Sequence, residues 1–163
     1  VTVLSDRDIR LSQRSHNLLE PFVSENVGPC SVDLTLGTEY IRGDEPWSMD
    51  EWDLLPGEFI LATTVEKVNI PRNLVGQVSG KSSMMRMGVQ VCNDAGFIDA
   101  GFRGLITLEL ANHGHKPVSL KSGMRICQIT FTVLSSPAER PYGSASLDSH
   151  YQGQDTVKGS VLS

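Results

Sequence analysis

Residues 80–112 read GKSSMMRMGVQVCNDAGFIDAGFRGLITLELAN, and the last third of this stretch decides the fold. Apolar and other side chains alternate there, so Ile106, Leu108 and Leu110 share one face and Leu105, Thr107 and Glu109 the other. That is a strand with one face in a core, and it leaves Glu109 either solvated or turned to a polar cavity. Just upstream, the glycines of residues 95–104 permit close backbone approach, and the segment reads as a hairpin with Asp99 near its turn. Further out, apolar runs of strand length at 31–36, 59–68, 74–78, 89–92 and 126–134 alternate with Gly, Pro and Asn breaks. The chain is therefore expected to be mainly β, a barrel or a sandwich.

Helix is expected in two short pieces. Ser5 has the N-cap position and Asp8 the capping-box position of a helix carrying Ile9 and Leu11. The second piece begins near Gly80-Lys81-Ser82-Ser83, where backbone N–H groups, two hydroxyls and a cation suit anionic phosphate oxygens. It is not a Walker loop: residues 76–82 fall one short of GxxxxGKS, and Gly88 stops the helix within about two turns. Ser82 and Arg86, four residues apart, share a face and could converge on one ligand, while Met84, Met85 and Met87 are expected largely to pack inward. The alternative is that a serine only caps the helix and Arg86 is a surface cation.

Composition bounds the function. At 163 residues, 39% hydrophobic and 20% charged, the chain suits one compact domain. The longest apolar runs fall far short of the roughly 20 residues of a membrane span, and no cationic-then-apolar leader opens the chain, so a soluble, unexported, cytoplasmic protein is expected. Three cysteines without a CxxC pair suggest neither a disulfide framework nor a zinc knuckle. A net charge of -5 argues against a nucleic-acid polymer as partner. The HxE and PCxxC signature of zinc deaminases is missing, and none of His16, His113, His115 and His150 has an HExxH or triad context. Residues 44–53, acidic with Trp47 and Trp52 interleaved, read as a surface insertion packing its indoles. Residues 144–163, polar and rich in Ser and Gly, read as a mobile tail in which the sequence YQGQ could order over a ligand.

Five ordered segments resemble the dCTP deaminase and dUTPase superfamily, above all its bifunctional branch. They are PCSVDLTLG at 29–37, GKSS at 80–83 with Arg86, AGFIDAGF at 95–102, ITLEL at 106–110, and PYG at 141–143 followed by YQGQ at 151–154. The resemblance implies a dUTPase-like distorted jelly-roll or β-barrel subunit with a few short helices, spanning 1–143, and a C-terminal lid at 144–163. It also implies a homotrimer with active sites between subunits, dCTP and dUTP as substrates, Mg²⁺ on the phosphates, and dTTP as a candidate inhibitor.

Carried over by position, Glu109 would be the general base of a zinc-independent deamination, acting on a water also held by Ser82 and the Ala95 carbonyl, with Arg86 stabilising that site. Asp99 would bind near the 3′-OH and help place the water that attacks the α-phosphate. Lys81, Ser82 and Ser83 would hold phosphate oxygens, Phe102 would pack on the sugar, and Tyr142, Tyr151 and Gln154 would contribute from the closing segment. Asp33 would be structural or reach the metal through water. Having Gly96, Asp99 and Glu109 together favours both steps on one site, from dCTP to dUMP. The resemblance implies that Asp94 would stand beside the base pocket, where bifunctional relatives commonly carry Thr, and Cys92 and His150 depart from the usual His and Lys. A dUTPase whose deaminase activity is lost through Asp94, and a silent sensor of dUTP or dTTP, are the competing readings.

Overall fold

The computed structural model describes residues 2–92 and 95–161. The order of elements is β1 (Thr2–Val3), α1 (Asp6–His16), β2 (Leu19–Glu20), a 3-10 turn (Ser24–Asn26), β3 (Val32–Arg42), β4 (Glu45–Ser48) and β5 (Glu51–Leu54). There follow β6 (Phe59–Asn69), β7 (Leu74–Gly80), α2 (Ser82–Arg86), β8 (Val89–Val91), β9 (Phe97–Ile98), β10 (Arg103–Asn112), β11 (Val118–Lys121) and β12 (Arg125–Val133). Each apolar run read from the sequence is a strand.

Among the described residues, ten strands form one sheet along the path β8-β10-β6-β3-β12-β7-β9, with β1 on β12, β2 on β6 and β4 on β3. Every one of these pairings is antiparallel. Register shifts in β10 between Leu105 and Thr107, in β12 between Arg125 and Cys127, and in β3 between Leu36 and Tyr40 add local twist, which curls the sheet. Its inner face is fully buried by Leu34, Leu36, Ile60, Leu108, Leu110, Ile126, Ile129 and Phe131. Ser5 caps α1 by accepting from the Asp8 amide at 3.4 Å; Ile9 is buried while Leu11 faces solvent. No helix among the described residues is long and apolar enough to cross a membrane.

Three local expectations need correction. Residues 95–104 are a corner, not a hairpin, because β9 pairs with β7 while β10 pairs with β6 and β8. The chain crosses between them through hydrogen bonds from the Gly101 amide to Ile70 O and from the Ile70 amide to Phe102 O, at 2.8 and 2.9 Å. The insertion buries only one indole: Trp52 stacks on Tyr40 with ring centroids 4.5 Å apart, whereas Trp47 on edge strand β4 is exposed. In α2 only Met84 packs inward, and Met85 and Met87 are exposed, since five residues offer one narrow buried stripe.

Candidate active site

The alternation read in the sequence places β10 between two environments. Ile106, Leu108 and Leu110 enter the core, and Leu105, Thr107 and Glu109 face a cavity of about 650 Å³. Phe59 and Leu61 of β6 extend that wall, in register with Ala111 and Glu109. Ala95, Asp99 and Phe102 bring the corner to the opposite side, and Tyr142 closes one end against Phe102, with ring centroids 5.7 Å apart.

Two backbone features hold the corner there. Gly96 is buried, its carbonyl accepts from the Val78 amide at 2.7 Å, and a Cβ on it would stand 2.2 Å from the Val78 carbonyl oxygen. No side chain fits at that position without moving β7. The Phe102 amide donates to Asp99 O at 3.1 Å, and the Asp99 side chain stays exposed at the cavity wall.

Glu109 is the chemically unsatisfied group of the site. Its Oε2 is buried without a hydrogen-bond partner in the single chain. A buried carboxylate oxygen left unmet is costly unless a ligand or water completes it, so it marks a place prepared for a polar group.

The C-terminal segment lies along the cavity rim. Tyr142 Oη accepts from the Tyr151 amide at 3.0 Å, and Gln152 bridges the Arg103 amide and the Gly101 carbonyl, each at 3.0 Å. Gln154 is buried, forms a parallel bridge with Gly104, and donates to Thr107 Oγ1 at 2.6 Å. His150 and Lys158 also line the cavity, with His150 Nδ1 3.8 Å from Asp148 Oδ1. Glu39 fastens the far end through Thr156 Oγ1 at 2.6 Å and the Val157 amide at 3.2 Å.

The phosphate-type segment stands apart. Lys81, Ser82, Ser83 and Arg86 do not line this cavity. Lys81 is the N-cap of α2 and no side chain caps it, so neither serine is spent as a cap. Lys81 Nζ lies 2.6 Å from Asp33 Oδ2, which Arg125 also approaches at 3.5 Å. Ser82, Ser83 and Arg86 are exposed. Asp94 lies outside the described residues. Of the expected site residues, one chain thus unites Ala95, Asp99, Phe102, Glu109, Tyr142, Tyr151 and Gln154. Thr107 was within reach of sequence reasoning, being two residues from Glu109 on one strand face. Glu39 carries no local signal, because its partner lies more than a hundred residues away.

Residues 3–134 match the family model described as dCTP deaminase-like. A Corynebacterium glutamicum protein named "dCTP deaminase, dUMP-forming" is 43% identical over 173 residues, covering 93% of this chain and 92% of that one. A Halobacterium salinarum protein of the same name is 43% identical over 185 residues, covering 98% and 94%. Among solved structures, a 2′-deoxycytidine 5′-triphosphate deaminase from Agrobacterium tumefaciens shares the fold, with TM-score 0.71 and 21% identity over 81% of this chain and 48% of that one. A dUTPase of phage 80alpha also shares it, with TM-score 0.51 and 17% identity over 70% of this chain and 83% of that one. The chain belongs to the dCTP deaminase-like family.

Proposed function

We propose that this chain converts dCTP to dUMP on one site, by deamination of the base and release of pyrophosphate, and that it also hydrolyses dUTP to dUMP. The observation that carries the proposal is the pairing, on one cavity, of an unmet buried oxygen on Glu109 with an exposed carboxylate on Asp99. One is placed to take a proton next to the base, and the other is open to water and phosphate.

In the deamination step Glu109 takes a proton from a water held by the Ala95 carbonyl and Ser82. The oxygen adds to C4 of cytosine, Glu109 returns protons to the amino group, and ammonia leaves; one positioned acid–base group is worth about 10²–10⁴-fold. Arg86 stabilises the charge around this water. Asp99 binds near the 3′-OH and orients the water that attacks the α-phosphate. Phe102 packs on the sugar, and Lys81, Ser82 and Ser83 hold phosphate oxygens, with Asp33 fixing Lys81.

Among the described residues no group of three or more His, Cys, Asp or Glu converges as a metal site, and the exposed oxygens near the cavity are of the hard type that Mg²⁺ takes. The cation would be held chiefly on the triphosphate, with Asp33 reaching it through water, and would neutralise charge at the phosphates.

Since α2 lies off the cavity of its own chain, its residues reach a site in a neighbouring subunit, and the exposed Met85 and Met87 beside them form part of that contact in a homotrimer. The segment 144–163 serves as the lid, with Tyr151 and Gln154 on it and Tyr142 just before it. Work on free nucleotides places the enzyme in the cytoplasm.

The test is to incubate the protein and Mg²⁺ with dCTP or dUTP and resolve ammonia, pyrophosphate, dUTP and dUMP. Both substrates are expected to give dUMP. Glu109→Gln should lose ammonia release from dCTP by at least about a hundredfold and keep pyrophosphate release from dUTP, whereas Asp99→Asn should lose the latter. Turnover of dUTP alone by the unsubstituted protein would point to Asp94 and a dUTPase only.

A further inference from the structure

The side chain of Gln152 grips the cavity's corner on both sides of Phe102. Its Oε1 accepts from the Arg103 amide at 3.0 Å, and its Nε2 donates to Gly101 O at 3.0 Å and reaches Tyr142 O at 3.4 Å. Gly143 leaves room for it, since a Cβ there would stand 2.5 Å from Gln152 Nε2. The C-terminal segment itself docks by other bonds. The Gly153 amide donates to Arg103 O and the Leu105 amide to Gln154 O, both at 2.8 Å, and the Tyr151 amide donates to Tyr142 Oη at 3.0 Å. None of these three involves the side chain at 152, so that side chain serves the corner rather than the docking.

The corner needs such a grip. Gly101 and Gly104 flank the Phe102-Arg103 pair with φ of 97 and 148, and glycine has the most backbone freedom to lose on being ordered. From the sheet side, Ile70 takes the Gly101 amide and the Phe102 carbonyl. From the segment side, Gln152 takes the Gly101 carbonyl and the Arg103 amide. The Phe102 amide in turn holds Asp99 O at 3.1 Å. Glu109 depends on none of these bonds, because its stretch of β10 is laced to β6 at Leu61 and, one residue on, to β8 at Val91.

We propose that Gln152 is a positioning residue for the hydrolytic half of the reaction: closure of the C-terminal segment sets the Asp99–Phe102 corner through this one side-chain amide. This rests on the readings of Asp99 as the group that orients the attacking water and of Phe102 as the ring on the sugar. Attack on the α-phosphate reaches full rate only beneath the closed segment, whereas the proton transfers at Glu109 do not call on Gln152. In Gln152→Ala, kcat for pyrophosphate release from dUTP should fall by about a hundredfold, the cost of a reacting group misplaced by about 1 Å. Ammonia release from dCTP, followed in a single turnover, should keep its rate. Amide hydrogen exchange reads the corner without turnover. The Phe102 and Arg103 amides should exchange about tenfold faster in the variant, as the loss of one or two neutral hydrogen bonds requires, while the Gly153 and Leu105 amides keep their protection.

Equal losses of ammonia and pyrophosphate release, or Gly153 and Leu105 amides that accelerate along with Phe102, would mean that Gln152 merely orders the segment, and would overturn the proposal. So would faster exchange at Phe102 with dUTP hydrolysis unchanged, which leaves a structural contact only. If Asp99→Asn hydrolyses dUTP normally, it is the reading of Asp99 that fails, and the exchange pattern still decides whether Gln152 sets the corner. Should Gln152→Ala fail to fold, Gln152→Glu takes its place. That variant is equal in size and, at an exposed position, turns an oxygen toward the Gly101 and Tyr142 carbonyls, and the same split between the two activities is expected of it.

Discussion

Glu66 carries a carboxylate into the core at 3% exposure, held by Thr35: the Thr35 amide reaches Oε2 at 2.9 Å and its hydroxyl reaches Oε1 at 2.8 Å. Burial raises its pKa above the ordinary carboxylate value, and the two Thr35 hydrogen bonds, with one from its own backbone, oppose that rise without cancelling it. The folded chain therefore holds this proton more tightly than the unfolded chain. The associated stability is fully present below the ordinary carboxylate pKa and is lost as pH rises through the raised value. Glu66→Gln has no such proton, so urea melts across the acid range should show wild type losing ground to the variant as pH climbs through that window. The difference in unfolding free energy should change by up to about 1.4 kcal/mol per pH unit. Parallel stability curves for the two proteins would mean that Glu66 titrates alike in the folded and unfolded states. Gly96 shows the same dependence on three-dimensional surroundings. A glycine there is plain in the sequence, but that the Val78 carbonyl forbids a Cβ follows only from where β7 runs.

At the scale of elements, long strands were legible and short ones were not. β3, β6, β7, β10 and β12 each carry enough alternating or apolar residues to bury a face on their own account. β1, β2 and β9 are two residues long, and only their partners make them strands. The corner at 95–104 was misread for a related reason. Glycines announce a turn, but which strand the chain joins next depends on β7 and β6, far away in sequence. The site divides likewise: Glu109 could be placed on a face by period alone, while its pairing with Leu61 needed the β6 register. The tail illustrates the limit, because composition describes its polarity and omits its anchors. Glu39 accepts two hydrogen bonds from Thr156 and Val157, and Val157 is buried. Glu39→Ala removes a charged acceptor worth about 1.5 kcal/mol, so the segment should open roughly tenfold more often. Amide hydrogen exchange at Val157 should accelerate by that factor while exchange in β12 stays fixed. Unchanged exchange at Val157 would show that Gln154 and Tyr151 hold the segment without Glu39.

At the scale of the molecule, the separation of α2 from the cavity makes a stoichiometric prediction. Under the proposed shared-site arrangement, a complete site would take Glu109 and Asp99 from one subunit and Ser82 and Arg86 from another, because one chain does not bring both groups to the same cavity. Glu109→Gln and Arg86→Ala trimers should each be nearly inactive toward dCTP. When the two are unfolded, mixed in equal amounts and refolded, subunits combine at random around the threefold axis. A site is intact only where an Arg86→Ala chain supplies Glu109 and a Glu109→Gln chain supplies Arg86. Each condition holds for half of the positions, so about a quarter of the wild-type deamination should return. Static light scattering on the same samples should give three chains per particle. If Glu109 and Arg86 instead worked within one subunit, every site in the mixture would carry one of the two lesions, and no activity would return at any ratio. The shape of the recovery tests the arrangement further: activity should peak at equal amounts and fall symmetrically as either variant is put in excess. That dependence arises from shared sites, and a mixture of independently folded monomers has no means of producing it.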